Sequence, residues 1–183
     1  KRLLTKNHTG ALMRTMLNTP DPKESKKNSI SPLSRHGGVE GIKVQELRRA
    51  TPKSLKEINN LLPQLSKTAK PISLKMLDTI TRDKNTCLVV AREDLQIIGM
   101  GSLVVFLTPH SRRARIEDVV VDEKYRGRGI GEKISKELIA LAKKKKVKSI
   151  ELSSRPRRTV ANELYKKLGF KKKETNTYSL SFR

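Results

Sequence analysis

The amino-acid sequence predicts an α/β (α+β) domain over residues 41–183. Runs rich in Val and Ile alternate along the chain with segments whose apolar residues recur every three or four positions, the marks of strands and amphipathic helices. A glycine-rich turn joins the most Val-rich of these runs to the longest helical pattern. Ahead of Gly41 the character changes: residues 1–40 are basic and rich in Ser, Thr, Asn and Pro, the composition of an extension without a core of its own.

Each element has a local reason. Residues 42–47 predict a strand, and Thr51-Pro52 then opens a helix, with Thr as N-cap and Pro where its missing N–H costs nothing. Leu55, Ile58, Leu61 and Leu62 give that helix one apolar face. A second short helix follows at 73–81. The β-rich runs at 86–91 and 97–107 are joined across Arg92-Glu93-Asp94 as a hairpin, and 115–121 is a further strand. Ile130, Ile134, Leu138, Leu141 and Ala142 define a helix over 129–146. Residues 149–153 predict a strand, 159–168 a helix ended by Gly169, and 170–182 two closing strands. The predicted order is β-α-α-β-β-β-α-β-α-β-β, with no internal repeat.

Composition restricts function. The 41 Lys and Arg residues against 18 Asp and Glu leave a net charge of +23, which raises the expectation of a polyanionic partner such as rRNA or a ribosomal particle, met through the basic surface and the 1–40 extension. Three Tyr, three Phe and no Trp argue against a single-strand binder built on successive base-stacking platforms. Cys87 stands alone, so no internal disulfide is expected, and His8, His36 and His110 are too scattered for a metal centre. No uninterrupted apolar run is longer than that at 103–107, short of the roughly 20 residues a membrane-spanning helix needs. The basic, hydroxylated stretch before Asp21 is read either as the remnant of a transit peptide or as a binding tail, and the expected compartment as the cytoplasm or mitochondrial matrix.

The chemistry lies in Tyr125-Arg126-Gly127-Arg128-Gly129-Ile130-Gly131. A turn between a strand and a helix N-terminus aims backbone N–H groups at one point near the positive end of the helix dipole, which suits an anion. Glycines let a phosphate approach the main chain. Glu132 stands where the last glycine of a dinucleotide fingerprint belongs, and the Gly-Lys-Ser/Thr of nucleotide triphosphatases is missing, so the cradle is of another kind.

Arg126-x-x-Gly129-x-Gly131 resembles the R/Q-x-x-G-x-G/A signature of the GNAT acyl-CoA N-acetyltransferases. The segment from Ala161 to Phe170, in which a helix ends in Leu-Gly-Phe, is similar to that family's second signature, and the element order from 41 to 183 resembles its fold, a central mixed, mostly antiparallel sheet flanked by helices. The resemblance implies acetyl transfer from acetyl-CoA to a primary amine, without a metal. It implies that the backbone of Val119, Val120 and Val121 binds the pantetheine arm, that the amides from Arg126 through Gly127, Arg128, Gly129 and Ile130 to Gly131 hold the pyrophosphate, and that Asn162 also lies at the cofactor. Tyr165 matches the family's usual acid position.

Glu117 is the candidate base. On plain strand alternation Glu117, Val119 and Val121 share one face and Asp118 and Val120 the other. The alternative is that both carboxylates merely pair with Arg112, Arg113 and Arg115. Two further features stay open at this level: the Arg155-Pro156-Arg157-Arg158 loop is either an anion grip or solvated, and the lysines at 143–146 either end a helix in water or meet phosphates. Two functions stand side by side, an N-acetyltransferase of unspecified amine and a GNAT-fold accessory component of a ribosome or other ribonucleoprotein.

Overall fold

The strands β1 (Ile42–Glu46), β2 (Thr86–Glu93), β3 (Gln96–Leu107), β4 (Arg112–Val121) and β5 (Ser149–Leu152) form one sheet in the order β1-β2-β3-β4-β5. This is a computed structural model, and it describes residues 41–182; the extension expected over 1–40 lies outside the described residues. All neighbouring strands are antiparallel except β4 and β5, which run parallel.

Helices α1 (Pro52–Leu65) and α2 (Leu74–Arg82) bury Ile58, Leu61 and Leu77 on one side of the sheet, against Leu88, Val90, Met100 and Val120. Helix α3 (Ile130–Lys144) lays Ile130, Ile134, Leu138 and Ala142 on the other side, against Val89, Leu103, Ala114 and Ile116. Helix α4 is Thr159–Lys167. The start of α1 is as its sequence predicts: Thr51 Oγ1 accepts from the Ser54 N–H at 3.1 Å while Ser54 Oγ accepts from the Thr51 N–H at 3.0 Å, a reciprocal cap.

Gly99 and Gly101 of β3 bring α3 close. A Cβ on Gly101 would stand 3.0 Å from the side chains of both Ile134 and Leu138. Gly101 also faces two residues of β4, because Ser102 is opposite Glu117 while Met100 is opposite Val120. The extra residue makes a β-bulge at Asp118, which has φ 56°.

The bulge corrects the face assignment made by alternation. Ala114 and Ile116 before it, and Val119 and Val121 after it, all pack on the α3 side, and Val120 packs on the α1/α2 side. Glu117 therefore belongs to the α1/α2 side with Arg115, not to the side of Val119 and Val121, since one inserted residue inverts the period of two.

The predicted order holds through α4. The two closing strands are not formed: residues 170–182 make no ladder, and Tyr178, Leu180 and Phe182 are exposed. Alternating apolar residues supply a strand's pattern, but a strand also needs a partner edge, and none is engaged there.

Candidate active site

The parallel pairing of β4 and β5 runs from Arg113 beside Ser149 to Ile116 beside Leu152. There β5 stops, while β4 continues to Val121 with a neighbouring strand on one side only, β3. The main chain from Glu117 to Val121 thus borders a slot, with polar groups along one edge that no strand satisfies. The side chains of Val119, Val120 and Val121 are taken up by the two cores, which leaves their backbone to face the slot.

At the end of β4 the Asp122 side chain accepts from the Lys124 N–H and starts a single 3-10 turn over Glu123–Tyr125. The next residues fold back through two left-handed glycines, Gly127 at φ 79° and Gly129 at φ 72°. Nothing lies within 4 Å of where a Cβ would stand on either. The helical ladder begins with the Lys133 N–H donating to the Gly129 carbonyl, so the earlier amides of α3 have no partner in the helix.

The arginines of this turn point elsewhere. Arg126 Nε donates to the Val121 carbonyl at 3.0 Å. Arg128 Nη2 binds Glu93 Oε1 at 2.6 Å, and its guanidinium lies 5.6 Å from the centre of the Tyr125 ring. The main-chain N–H groups after Arg126 remain as donors of the turn, beside the exposed guanidinium of Arg126, of which only Nε is engaged.

Helix α4 follows β5 and carries Tyr165. Its C-terminus closes with Gly169 at φ 90°, the Gly169 N–H donating to the Lys166 carbonyl and the Phe170 N–H to the Tyr165 carbonyl. This is the physical content of the Leu-Gly-Phe ending. Burial pushes the Tyr165 phenol above its usual value of 10, opposed by the nearby positive charge of Arg158. Leu164, one residue earlier, packs 3.8 Å from where a Cβ on Gly131 would be, which seats α4 against the start of α3. Lys167 reaches Glu132 at 2.9 Å across the same junction.

Glu117 sits just past the last β4/β5 pair, its Oε1 accepting from Arg115 Nε at 2.8 Å. Arg115 Nη2 donates to Ser153 Oγ at 3.0 Å, which links β4 to the end of β5. Asp118, at the bulge, has no hydrogen-bond or ion-pair partner among the described residues. Partial desolvation and the adjacent Glu117 charge raise its carboxyl above the usual value. Reasoning from the sequence missed this residue's geometry; only the tolerance of Asp for left-handed backbone could have hinted at it.

Asn162, expected at the cofactor, spends its side-chain amide on the loop before α4: Nδ2 donates to the carbonyls of Arg155 at 3.1 Å and Pro156 at 3.2 Å. Cys87 is buried in the core, and burial pushes its thiol up to about 11, so it is a protonated, unreactive group at neutral pH. Among the described residues, no group of three His, Cys, Asp or Glu is arranged to hold a metal ion.

The model of the acetyltransferase (GNAT) family matches residues 53–170. Among solved structures, a transcriptional regulator from Bacillus halodurans C-125 is 27% identical, over 77% of this chain and 99% of that one, with a TM-score of 0.65. A Trypanosoma brucei acetyltransferase is 25% identical over 76% of this chain and 99% of its own, also at 0.65. Glucosamine-6-phosphate N-acetyltransferase from Arabidopsis thaliana shares the fold at 24% identity over 77% and 99%, with a TM-score of 0.63.

Proposed function

Because the chain belongs to the acetyltransferase (GNAT) family, we propose that it transfers the acetyl group of acetyl-CoA directly to a primary amine. The observation that carries this reading is the slot where β4 outruns β5, with the open glycine turn at its end and α4, the helix of Tyr165, seated against the start of α3 through Leu164. The unfilled space above Gly127 and Gly129 suits a pyrophosphate held by the amides from Gly127 to Gly131; the Arg126 N–H, expected among them, donates instead to the Glu123 carbonyl. The β4 edge at Val119, Val120 and Val121, which no strand pairs beyond the end of β5, suits the amide groups of a pantetheine arm, with the Val121 carbonyl already accepting from Arg126.

Acetyl-CoA supplies the activated thioester. An ammonium has no lone pair, so Glu117 takes a proton from the acceptor, directly or through water, before nitrogen attacks the carbonyl carbon. A C–N bond forms, the C–S bond breaks, and the Tyr165 phenol gives its proton to the departing sulfur. Burial keeps the phenol protonated at neutral pH, and the Arg158 charge eases the loss of that proton when the thiolate develops. With its one cysteine buried, the chain offers no thiol for an acyl-enzyme, which agrees with direct attack.

The alternative of a ribosomal component rests on the charge and the basic extension, and neither the family nor its structural relatives support it. Thermal unfolding with and without acetyl-CoA tests the leading reading. At ~100 times Kd the ligand should stabilise by roughly 2.7 kcal/mol, a rise of roughly 5–10 °C for a domain of this size. Unchanged unfolding at millimolar acetyl-CoA would sink it.

A further inference from the structure

At the end of β5 an open cleft of about 270 Å³ is lined by Ser153, Ser154, Arg155 and Arg158, with both arginines exposed. Its charge is one-sided. Several arginines of this region have a carboxylate, Arg113 with Glu151, Arg115 with Glu117 and Arg128 with Glu93, while Arg112 and Arg126 bind backbone carbonyls instead. Arg155 and Arg158 have no carboxylate among the described residues, and no acidic side chain lines the cleft. Two guanidinium groups sharing one cleft repel unless an anion or water lies between them, and their planar forks match carboxylate and phosphate oxygens.

The cleft is also built. Asn162 pins the loop at Arg155 and Pro156, so the two arginines project from a fixed main chain. Arg158 Nη2 donates to the Leu65 carbonyl at the end of α1, at 3.0 Å, which places its guanidinium on the α1 side of the sheet. Ser154 Oγ is buried without a hydrogen-bond partner. A buried hydroxyl left in that condition is unfavourable, and a ligand oxygen would relieve it. The glycine turn starts α3, and the end of α1 borders it too, since Gln64 accepts from the Glu123 N–H at 2.9 Å, but no residue of the turn lines this cleft.

We propose that this cleft binds an anionic group, phosphate or carboxylate, on the acceptor molecule, with Arg155, Arg158 and Ser154 Oγ as its donors. The inference rests on the acetyl-transfer reading and adds a substrate class to it: a small amine that also carries an acidic group. Arg158 stands at the N-cap of the helix that carries Tyr165, so the anion-binding end and the proposed proton donor belong to one element. Polycationic amines are disfavoured by the same arginines, since like charges meet with no carboxylate to offset them.

The test uses the full chain saturated with acetyl-CoA. Inorganic phosphate is added against chloride at matched ionic strength, and thermal unfolding is followed for the native protein and for Arg155→Gln/Arg158→Gln. A phosphate-specific rise in the native protein, absent in the variant while the acetyl-CoA shift persists in both, is the expected result. In parallel, O-phosphoethanolamine should be acetylated with at least tenfold higher kcat/KM than ethanolamine, and the variant should erase that preference. No phosphate effect beyond chloride overturns the proposal. So does loss of acetyl-CoA binding in the variant, which would assign these arginines to the cofactor's own phosphates. Failure of acetyl-CoA to bind the native protein at all would instead remove the acetyl-transfer reading, and the substrate class with it.

Discussion

Phe170 holds Tyr165 twice: its N–H donates to the Tyr165 carbonyl at 3.0 Å, and its ring stands edge-on to the phenol ring, centroids 6.0 Å apart at 73°. The hydrogen bond closes α4 and the ring contact limits where the phenol can swing. If Tyr165 is the acid, Tyr165→Phe should lower kcat by ~10²–10⁴ while the thermal shift given by acetyl-CoA stays as it was. Phe170→Leu keeps the backbone bond and loses the edge contact, so kcat should fall several-fold with KM for acetyl-CoA nearly unchanged. Steady-state kinetics on the pair checks this, and full activity in Tyr165→Phe would remove the phenol from the mechanism.

Glu93 and Arg128 form the second such relationship, 35 positions apart in sequence and 2.6 Å apart in space. Arg128 lies between the two left-handed glycines, so fixing its side chain orients the peptides on either side. Glu93→Gln should raise KM for acetyl-CoA several-fold and leave kcat at saturation close to the native value. An equal loss in kcat would mean that the pair supports the whole fold rather than the turn.

Glu117 and Asp118 are adjacent carboxylates at the mouth of the slot. Glu117→Gln should cost ~10²–10⁴ in kcat/KM without changing acetyl-CoA affinity. Asp118 carries a raised carboxyl, so the folded state binds its proton more tightly than the unfolded state does. That contribution to stability is present at low pH and lost as pH rises through the folded value. Asp118→Asn, which Asn's tolerance of left-handed backbone permits, should therefore be the more stable protein at pH 7. Urea titrations at pH 3 and pH 7 read the sign. A pH–rate profile that loses its acid limb in Asp118→Asn but keeps it in Glu117→Gln would transfer the base role to Asp118.

Glu132 ties the start of α3 to the end of α4. Hydrogen bonds from Lys136 and Lys167 hold its carboxyl down at about 2 against an ordinary 4.5. The stability it contributes is complete above the ordinary value and is lost as pH falls from 4.5 toward 2. Glu132→Gln should flatten the acid-unfolding curve in that interval and, by loosening the seat of α4, reduce kcat more than it changes acetyl-CoA affinity. An acid-unfolding curve identical to the native one would show that the bridges contribute nothing net.

Much of this was legible in the sequence because it is local. Thr51-Pro52 with Ser54 specifies a helix start by bonds within four residues, and the Leu-Gly-Phe ending specifies a helix end in the same way. Gly127 and Gly129 carry their own conformational reason, since few other residues accept positive φ at so little cost. The closing strands were misread for the complementary reason: Tyr178, Leu180 and Phe182 alternate as a strand should, and pairing is not a property of the segment that alternates.

By itself, the sequence determined the succession of elements up to α4, the glycine turn at a helix N-terminus, and the net charge, all of which follow from near-neighbour backbone and side-chain preferences. Only the tertiary structure decided on which side of the sheet Glu117 lies, because a single bulged residue opposite Gly101 reverses every later side chain of β4. It alone turned Arg128 from the cradle toward Glu93, spent Asn162 on a loop, and left Arg155 and Arg158 together without a carboxylate. These outcomes depend on which distant groups arrive within hydrogen-bonding range, and that is set by how strands pair and helices pack, over separations that no local pattern encodes.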